Sequence, residues 1–276
     1  MSGLLSEMRQ SSLARVQAAK QRVSEAALCT IDPGAVVPTR VKLSDEGFDL
    51  IAEFKLRSPS CGDLASGTPD PTARLRAYAE GGASIVSILT EPTRFNGDLR
   101  DLRLAADTLR QYDVPVMRKD FLVDPYQVLE ARAHGASGVL LILRMVPRQR
   151  LVEMLDCAAE YGLFVLLEAF DAQDLSLATE LAAERAGREE QVFMGLNCRD
   201  LESLAIDFQR FSLLREKMPF QWPCVAESGV QSPGDALHVA ALGYRLALVG
   251  TSLMQSDRPA QAVAELLAAA RSGRAE

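Results

Sequence analysis

Histidine is almost absent from this chain of 276 residues, in which only His134 and His238 occur. Each lies in a stretch with helical periodicity, shortly before a glycine that would end the helix, so we expect both on helix surfaces. Without a well-placed histidine the chain has neither a histidine-cluster metal site nor a serine or cysteine nucleophile activated by histidine. Its chemistry must therefore depend on carboxylates, lysines, hydroxyls and backbone amides.

Cysteine pairs and long apolar runs are also absent. The five cysteines are odd in number and show no C-x-x-C spacing, which argues against a disulfide framework and a structural zinc site. No window has the roughly 18 uninterrupted apolar residues of a membrane span, and the N-terminal segment lacks the apolar core of a signal peptide. We therefore expect a cytoplasmic protein with no metal site and no membrane partner.

Basic residues are outnumbered by acidic ones, 30 against 37, which gives a net charge of −7. The fractions of apolar residues, 48%, and charged residues, 24%, are ordinary for a globular protein and exclude a disordered or fibrous chain. A net negative charge gives no long-range attraction to an anion. We expect no nucleic-acid partner, and an anionic ligand would need a local positive pocket.

Eight short apolar runs recur along the chain. Each is apolar at nearly every position rather than at every second one, which is typical of parallel strands that are buried on both faces. The predicted strands are Leu50–Phe54, Ile85–Leu89, Pro115–Arg118, Val139–Leu143, Leu163–Leu167, Val192–Leu196, Pro223–Ala226 and Leu246–Val249.

Amphipathic stretches lie between the runs, and four of them end in glycine immediately before the next strand. These glycines, which tolerate the left-handed conformation that ends a helix, are Gly81 or Gly82, Gly135, Gly162 and Gly243. The repeat has the length of one βα unit. Eight such units predict an α/β protein with a (β/α)8 TIM barrel over residues 49–276. A doubly wound sheet is the alternative, but its usual glycine-rich dinucleotide turn is absent.

Residues 1–48 do not follow this repeat. The stretch from Leu4 to about Leu28 has apolar residues near helical spacing and predicts one extra helix, followed by a connector at Thr30–Thr39. We expect this N-terminal extension to form a lid or plug over one end of the barrel, and the sequence leaves open which end. An organelle-targeting segment is the weaker alternative, because acidic residues interrupt the basic ones.

Polar side chains follow six of the eight predicted strands, at the barrel end where this fold builds its active sites. Glu53 and Lys55 project to the same side because side chains alternate along a strand. Lys119 and Glu168 follow two other strands and would share the mouth with them. Charges crowded in this way shift each other's pKa values, which suits proton transfer. The alternative is a set of buried ion pairs that only hold the mouth together.

Small residues and hydroxyls follow the last two predicted strands. Ser228 and Gly229 come after the seventh strand, and Gly250 and Thr251 come after the eighth. Backbone N–H groups can approach an anion at such turns, and barrels often bind phosphate there. We therefore expect the substrate to carry a phosphate.

Aromatic residues are scarce, at 6% of the chain. Two of them, Phe95 and Phe121, follow the second and third predicted strands and would lie near the barrel mouth. They would either pack in the core or line an apolar slot for a flat substrate ring.

An ordered set of segments resembles the indole-3-glycerol-phosphate synthase family. The segments run from about Leu50 to Met254 and are IAEFKLRSPS, GGASIVSILTEPTRFNG, PVMRKDFLVDPYQVLEARAHGAS, GLNCRDL, VAESGV and LVGTSLM. The resemblance implies a (β/α)8 barrel without metal or organic cofactor. It also implies a carbon–carbon lyase of tryptophan biosynthesis, which converts 1-(2-carboxyphenylamino)-1-deoxyribulose 5-phosphate to indole-3-glycerol phosphate, CO2 and water.

The same resemblance implies roles for residues of this chain. Lys119 resembles the family's general acid, Glu168 its general base, and Lys55 a second cation for the substrate carboxylate or for dehydration. Which lysine acts in which step is left open. The other implied catalytic residues are Glu53, Asn197 and Glu227. The implied substrate-binding residues are Ser58, Phe95, Phe121, Arg199 and Ser228, and the implied phosphate-binding residues are Gly229, Gly250 and Thr251.

Two positions depart from the family pattern. Phe170 stands two residues after Glu168, where the family usually has His or Asn, and Cys61 replaces the lysine of an S-P-S-K-G motif. The alternatives are therefore a paralogue that acts on a related phosphosugar, or a phosphometabolite-binding regulatory protein without turnover. We expect a monomer or weak homo-oligomer whose ligand is a phosphorylated small molecule.

Overall fold

Eight parallel strands form a closed barrel in which each strand pairs with the next along the chain and the last pairs with the first. The computed structural model describes residues 3–31, 38–59, 62–64, 70–200 and 203–273. The barrel strands are β1 (Asp49–Phe54), β2 (Ile85–Leu89), β3 (Val116–Lys119), β4 (Gly138–Ile142), β5 (Phe164–Ala169), β6 (Val192–Asn197), β7 (Cys224–Glu227) and β8 (Leu246–Val249). The predicted (β/α)8 TIM barrel is confirmed, and both ends of every strand lie within about two residues of the predicted ends.

Helices surround the barrel, and two further helices precede its first strand. They are α1 (Gly3–Arg22), α2 (Glu25–Thr30), α3 (Pro71–Glu80), α4 (Pro92–Phe95), α5 (Leu99–Leu109), α6 (Pro125–Ala133), α7 (Arg148–Glu160), α8 (Ala172–Ala183), α9 (Arg210–Leu213), α10 (Pro233–Ala241), α11 (Thr251–Gln255) and α12 (Pro259–Ser272). Four of the predicted glycines follow a helix with positive φ, as the turn into the next strand requires: Gly82, Gly135, Gly162 and Gly243. In the described part of the chain, no helix combines the length and apolar character of a membrane span.

Four polar residues that the sequence places after strands are in fact part of those strands. Lys119, Asn197 and Glu227 are the last residues of β3, β6 and β7, and Glu168 is the next-to-last residue of β5. The parallel register still pairs Asn197 with Glu227. The reason is that the ladder uses backbone groups, which continue to pair beyond the last apolar side chain. These four side chains are therefore held by the rigid sheet rather than by loops.

Side chains of the strands alternate between the barrel interior and the layer under the helices. In β1, Leu50 and Phe54 pack in the outer layer, whereas Ile51 belongs to the interior cluster. The rings of Phe164 and Phe193 meet edge to face in that interior, with centroids 5.6 Å apart. The polar mouth of the barrel therefore lies on a packed apolar floor.

The N-terminal extension contains two helices where the sequence predicts one, and the break falls at Val23 and Ser24. Ser24 is extended and caps α2, because its hydroxyl accepts a hydrogen bond from Ala27 N at 3.1 Å. The carbonyl of Val23 accepts a hydrogen bond from the Tyr126 hydroxyl at 2.9 Å. A tertiary hydrogen bond thus satisfies one of the carbonyl groups that lack a partner within the helix where α1 ends. Residues 32–37 of the predicted connector lie outside the described residues.

The helix α1 lies across the mouth of the barrel. Its Leu5 and Met8 are 1% exposed, and its Leu4 lines the cavity at the mouth. Arg15 donates two hydrogen bonds, of 2.8 and 2.7 Å, to the carboxylate of Asp120, immediately after the end of β3. The N-terminal extension is therefore a lid at the C-terminal end of the strands, which the sequence left open.

Candidate active site

A cavity of about 470 Å³ opens at the C-terminal ends of the strands, beneath α1. Every residue that the sequence predicts for the site lines this cavity. Neither histidine does, because His134 lies at the end of α6 and His238 is exposed on α10. Ser60 and Cys61 lie outside the described residues. The barrel therefore brings the predicted set together, and the role of each residue stays a prediction.

Glu53 joins the two lysines of the site. Its buried carboxylate accepts a hydrogen bond from Lys55 Nζ at 2.7 Å and lies 3.4 Å from Lys119 Nζ. Burial would raise the pKa of Glu53, but the two ammonium groups outweigh it and lower the pKa to about 2. Burial would lower the pKa of Lys119, but the surrounding carboxylates, with Glu53 foremost, raise it above its usual value. At neutral pH Glu53 is therefore ionised and Lys119 is protonated.

Two further carboxyl groups, those of Glu168 and Glu227, face Lys119 from β5 and β7. Glu168 Oε1 accepts a hydrogen bond from Asn197 Nδ2 at 2.7 Å. Both oxygens of Glu227 are buried and lack a well-formed hydrogen bond to any residue that the structure describes. Burial and the nearby charge of Glu168 raise the pKa of Glu227 well above its usual value. Burial also raises the pKa of Glu168, against the attraction of Lys119. The two carboxyl groups can thus share one proton, which gives the site an acid and a base side by side.

Two glycines make room for these buried carboxylates. A Cβ atom on Gly195 would lie 1.9 Å from Oε1 of Glu227. One on Gly250 would lie 2.3 Å from Oε1 of Glu53 and 2.9 Å from Lys55 Nζ. Neither position can carry a side chain without displacing a charged group. The sequence predicts Gly250 for phosphate binding but misses Gly195, whose signal is a glycine inside an apolar strand.

The turns after β7 and β8 line one end of the cavity. Ser228 and Gly229 both have left-handed backbone, with φ of 63° and 80°. The short helix α11 begins at Thr251 without a side-chain cap, and the buried hydroxyl of Ser252 has no hydrogen-bond partner among the described residues. Uncapped N–H groups and a buried hydroxyl suit an anion such as phosphate. Ser252 is a second residue that the sequence-based prediction omits, although it adjoins the predicted phosphate residues.

An apolar wall closes another side of the cavity. The rings of Phe95 and Phe121 lie with centroids 6.2 Å apart, and Leu4 of the lid lines the same cavity. Glu91 is completely buried and fixes α4, because its carboxylate accepts hydrogen bonds from three backbone N–H groups, including that of Phe95 at 3.2 Å. Two rings and an aliphatic side chain suit contact with an aromatic ligand.

Asn197 connects Glu168 to the loop after β6. Its amide nitrogen donates to Glu168, and its Oδ1 accepts a hydrogen bond from Arg199 N at 2.9 Å. Phe170 is 3% exposed and completes this side of the cavity. Ser58 lines the cavity from a short antiparallel pair, Arg57–Ser58 with Gly62–Asp63, that follows β1. Among the described residues, no group of three His, Cys, Asp or Glu side chains is placed to hold a metal ion.

Fold and site together define the class of protein. Lysines and carboxylates surround one cavity at the C-terminal end of a (β/α)8 barrel, with turns suited to an anion after its last two strands. Proteins of this class are barrel enzymes that carry out acid–base chemistry on phosphorylated small molecules.

Comparisons with known proteins identify the family within this class. Residues 5–266 match the family model of indole-3-glycerol phosphate synthase. An indole-3-glycerol phosphate synthase from Mycobacterium leprae is 42% identical over 228 residues, which is 82% of this chain and 79% of that protein. One from Leifsonia xyli is 44% identical over 208 residues, which is 75% of each chain. The chain belongs to the indole-3-glycerol phosphate synthase family.

The solved structures add support for the fold alone. A 3-hexulose-6-phosphate synthase from Salmonella typhimurium superimposes with a TM-score of 0.62, over 82% of this chain and 100% of that one. The sequence identity is 13%. At this level of identity the likeness concerns the architecture and says nothing about the substrate.

Proposed function

We propose that this chain closes the indole ring of 1-(2-carboxyphenylamino)-1-deoxyribulose 5-phosphate and releases CO2 and water. The observation that carries the proposal is the arrangement of charges around one cavity. Glu53 contacts two lysines, and the paired carboxyl groups of Glu168 and Glu227 face them. An acid and a base are therefore both within reach of one substrate, in a cavity of the size that small-molecule sites have.

Ring closure needs an acid at the substrate ketone. The ring carbon that bears the carboxylate attacks the ketone carbon, a carbon–carbon bond forms, and the ketone oxygen takes up a proton to become a hydroxyl. Lys119 donates that proton, since it is protonated at neutral pH. The attack leaves positive charge on the ring and its nitrogen, which the ionised carboxylate of Glu53 stabilises.

Loss of CO2 and of water completes the indole. The bond to the carboxylate breaks, and its electron pair neutralises the ring. The new hydroxyl then leaves as water with a proton from the enzyme, while Glu168 removes a proton from the carbon next to the nitrogen. We assign the proton for this step to Lys55, because Lys119 has already given up its own. Asn197 holds the carboxylate of Glu168 by its 2.7 Å hydrogen bond.

The phosphate of the substrate is assigned to the turns after β7 and β8. Gly229, Gly250 and Thr251 contribute backbone N–H groups, and Ser252 contributes a buried hydroxyl. A net charge of −7 supports a small ligand held by local contacts rather than a nucleic acid. Cytoplasmic location and a monomeric or weakly oligomeric state stay predictions from the sequence.

Product formation tests the proposal directly. The purified protein is incubated with the carboxyphenylamino-deoxyribulose phosphate, and the appearance of indole fluorescence is followed. A Glu168→Gln variant, expressed in a host without its own synthase and purified in the same way, serves as the matched control. We expect product from the wild type and at least about 10²-fold less from the variant. Equal signals from the two proteins would contradict the proposed function.

A further inference from the structure

The cavity at the barrel mouth, which holds the predicted site residues, is called the reaction cavity below. A second cavity, of about 840 Å³, lies beside it. It is formed by α8, by the short turn that follows β4 and by the loops after β5 and β6, and charged side chains such as Arg144 and Asp174 line much of it. In the described part of the chain only two residues, Phe170 and Arg199, line both cavities. These two side chains therefore form the boundary between them.

Phe170 is held through both its backbone and its ring. Its backbone N–H donates to Asp174 Oδ2 at 2.9 Å, and its carbonyl accepts a hydrogen bond from the guanidinium of Arg210. The guanidinium of Arg144 lies 5.1 Å from the centroid of the ring and donates to Asp174 from Nε at 2.8 Å. A cation over the ring face and fixed backbone groups stabilise the ring in this position. Phe170 is thus a rigid part of the boundary.

Phe170 also lines the reaction cavity, close along the chain to Glu168. It lies two residues beyond Glu168, just after the end of β5, and both side chains line the reaction cavity. Ile142 and Leu140 add apolar surface to the same cavity. The other boundary residue, Arg199, is polar and partly exposed. The apolar part of the boundary therefore depends on Phe170.

We propose that Phe170 is a specificity-determining residue for this reaction: its ring closes the reaction cavity towards the second cavity and limits the size of the aryl group that the site accepts. This inference rests on the proposed function. A smaller side chain at position 170 would join the two cavities and give extra room to substituents on the ring. One methylene group in an apolar pocket changes discrimination by about 10- to 200-fold, so the effect is large enough to measure.

The test compares substrates within each protein variant. The substrates are the parent compound and a series that carries a methyl or ethyl group at each open ring position in turn. The proteins are the wild type, Phe170→Ala, Phe170→Leu and the control Phe220→Ala, which changes a phenylalanine that lines neither cavity. The measured quantity is the ratio of kcat/KM for substituted and parent substrates. This ratio cancels any loss of folded protein, and the leucine variant keeps an apolar side chain if alanine impairs folding.

We expect the ratio to rise at least about tenfold for one or more ring positions in the Phe170 variants, more for alanine than for leucine, and to stay at the wild-type value in Phe220→Ala. If the Phe170 variants turn over the parent substrate but show no such rise at any position, the inference is overturned. If the wild type itself fails to turn over the parent substrate, the proposed function fails instead, so the two failures are distinguishable.

Discussion

At the scale of single residues, the site is a balance of opposite charges around Lys119. The pKa of Glu53 is lowered because two ammonium groups lie within 3.4 Å, whereas the pKa of Glu227 is raised because it is buried next to another carboxyl group. The pKa values of two similar side chains in one cavity are thus shifted in opposite directions. This separation of pKa values is what allows one cavity to offer both an acid and a base.

Replacing Lys119 with alanine tests whether Lys119 is the general acid of ring closure. The proton for the ketone oxygen is lost, so we expect kcat to fall by at least about 10², with a smaller change in KM. Initial rates followed by indole fluorescence measure both. Lys42→Ala is the matched control, because the side chain of Lys42 is 78% exposed and lies outside the cavity. Near-normal turnover in Lys119→Ala would remove Lys119 as the acid.

The substitution Glu227→Gln tests whether the pKa of this buried carboxyl group is raised, with the thermal stability of the protein as the measured quantity. The pKa of Glu227 is higher in the folded than in the unfolded chain, so the contribution of Glu227 to wild-type stability falls as pH rises above the unfolded value of about 4.5. Glutamine has no proton to lose. We expect the variant to melt at higher temperature than the wild type at pH 7, by at least about 3 °C, with a smaller difference at pH 5. Thermal unfolding followed by circular dichroism at several pH values measures this, and a difference that does not change with pH would argue against a raised pKa.

At the scale of elements, the lid helix α1 is fastened to the strand end that carries Lys119. Arg15 reaches from α1 to Asp120, the residue between Lys119 and Phe121, and the carboxylate of Asp120 is completely buried. Burial would raise the pKa of Asp120, but the hydrogen bonds and charges of Arg15 and Arg118 lower it to about 2. The lid and the catalytic strand are therefore coupled through one ionised carboxylate.

Arg15→Met tests this coupling. Asp120 would lose two charge-assisted hydrogen bonds, so we expect the free energy of unfolding at pH 7 to fall by about 1–3 kcal/mol. Arg94→Met is the matched control, because it removes an ion pair from α1 to α4 in which both side chains are about half exposed, and we expect less than about 1 kcal/mol from it. Urea unfolding measures both variants.

The pH dependence of the Arg15 effect has a definite sign. Because the folded-state pKa of Asp120 is lowered, the stabilisation is complete above the unfolded value near 4 and is lost as the pH falls towards 2. The difference between wild type and Arg15→Met should therefore shrink at pH 3. A loss no larger than that of Arg94→Met at pH 7 would refute the coupling.

The strands themselves were predictable because apolar runs of four to six residues stand out from the amphipathic helices. The ends of the strands were harder to predict. Lys119 and Glu227 are polar, and a pattern of apolar residues stops before them, whereas the backbone ladder includes them. The break between α1 and α2 was missed for a related reason, because the contact of Tyr126 with Val23 lies about 100 residues away along the chain.

At the scale of the whole molecule, closure of the barrel places side chains from distant parts of the chain around one ligand. Ligand binding should therefore stabilise the entire fold. We expect the phosphorylated substrate, at 100 times its Kd, to stabilise the Lys119→Ala variant by about 2.7 kcal/mol, or roughly 5–10 °C in Tm. This variant avoids turnover during the measurement. The dephosphorylated analogue at the same concentration should give a much smaller shift, and equal shifts would rule out the phosphate assignment.

The sequence by itself determined the repeat of eight βα units, the end of the barrel that carries polar residues, and the family resemblance on which the roles of Lys119 and Glu168 depend. These are local patterns, which can be recognised along the chain without knowing which residues meet in space. The tertiary structure decided what lies across the mouth, in which direction the pKa of each buried carboxyl group shifts, and why Gly195 and Gly250 must lack side chains. Those properties depend on distances between residues far apart in the chain, because burial and charge act through space and not along the sequence.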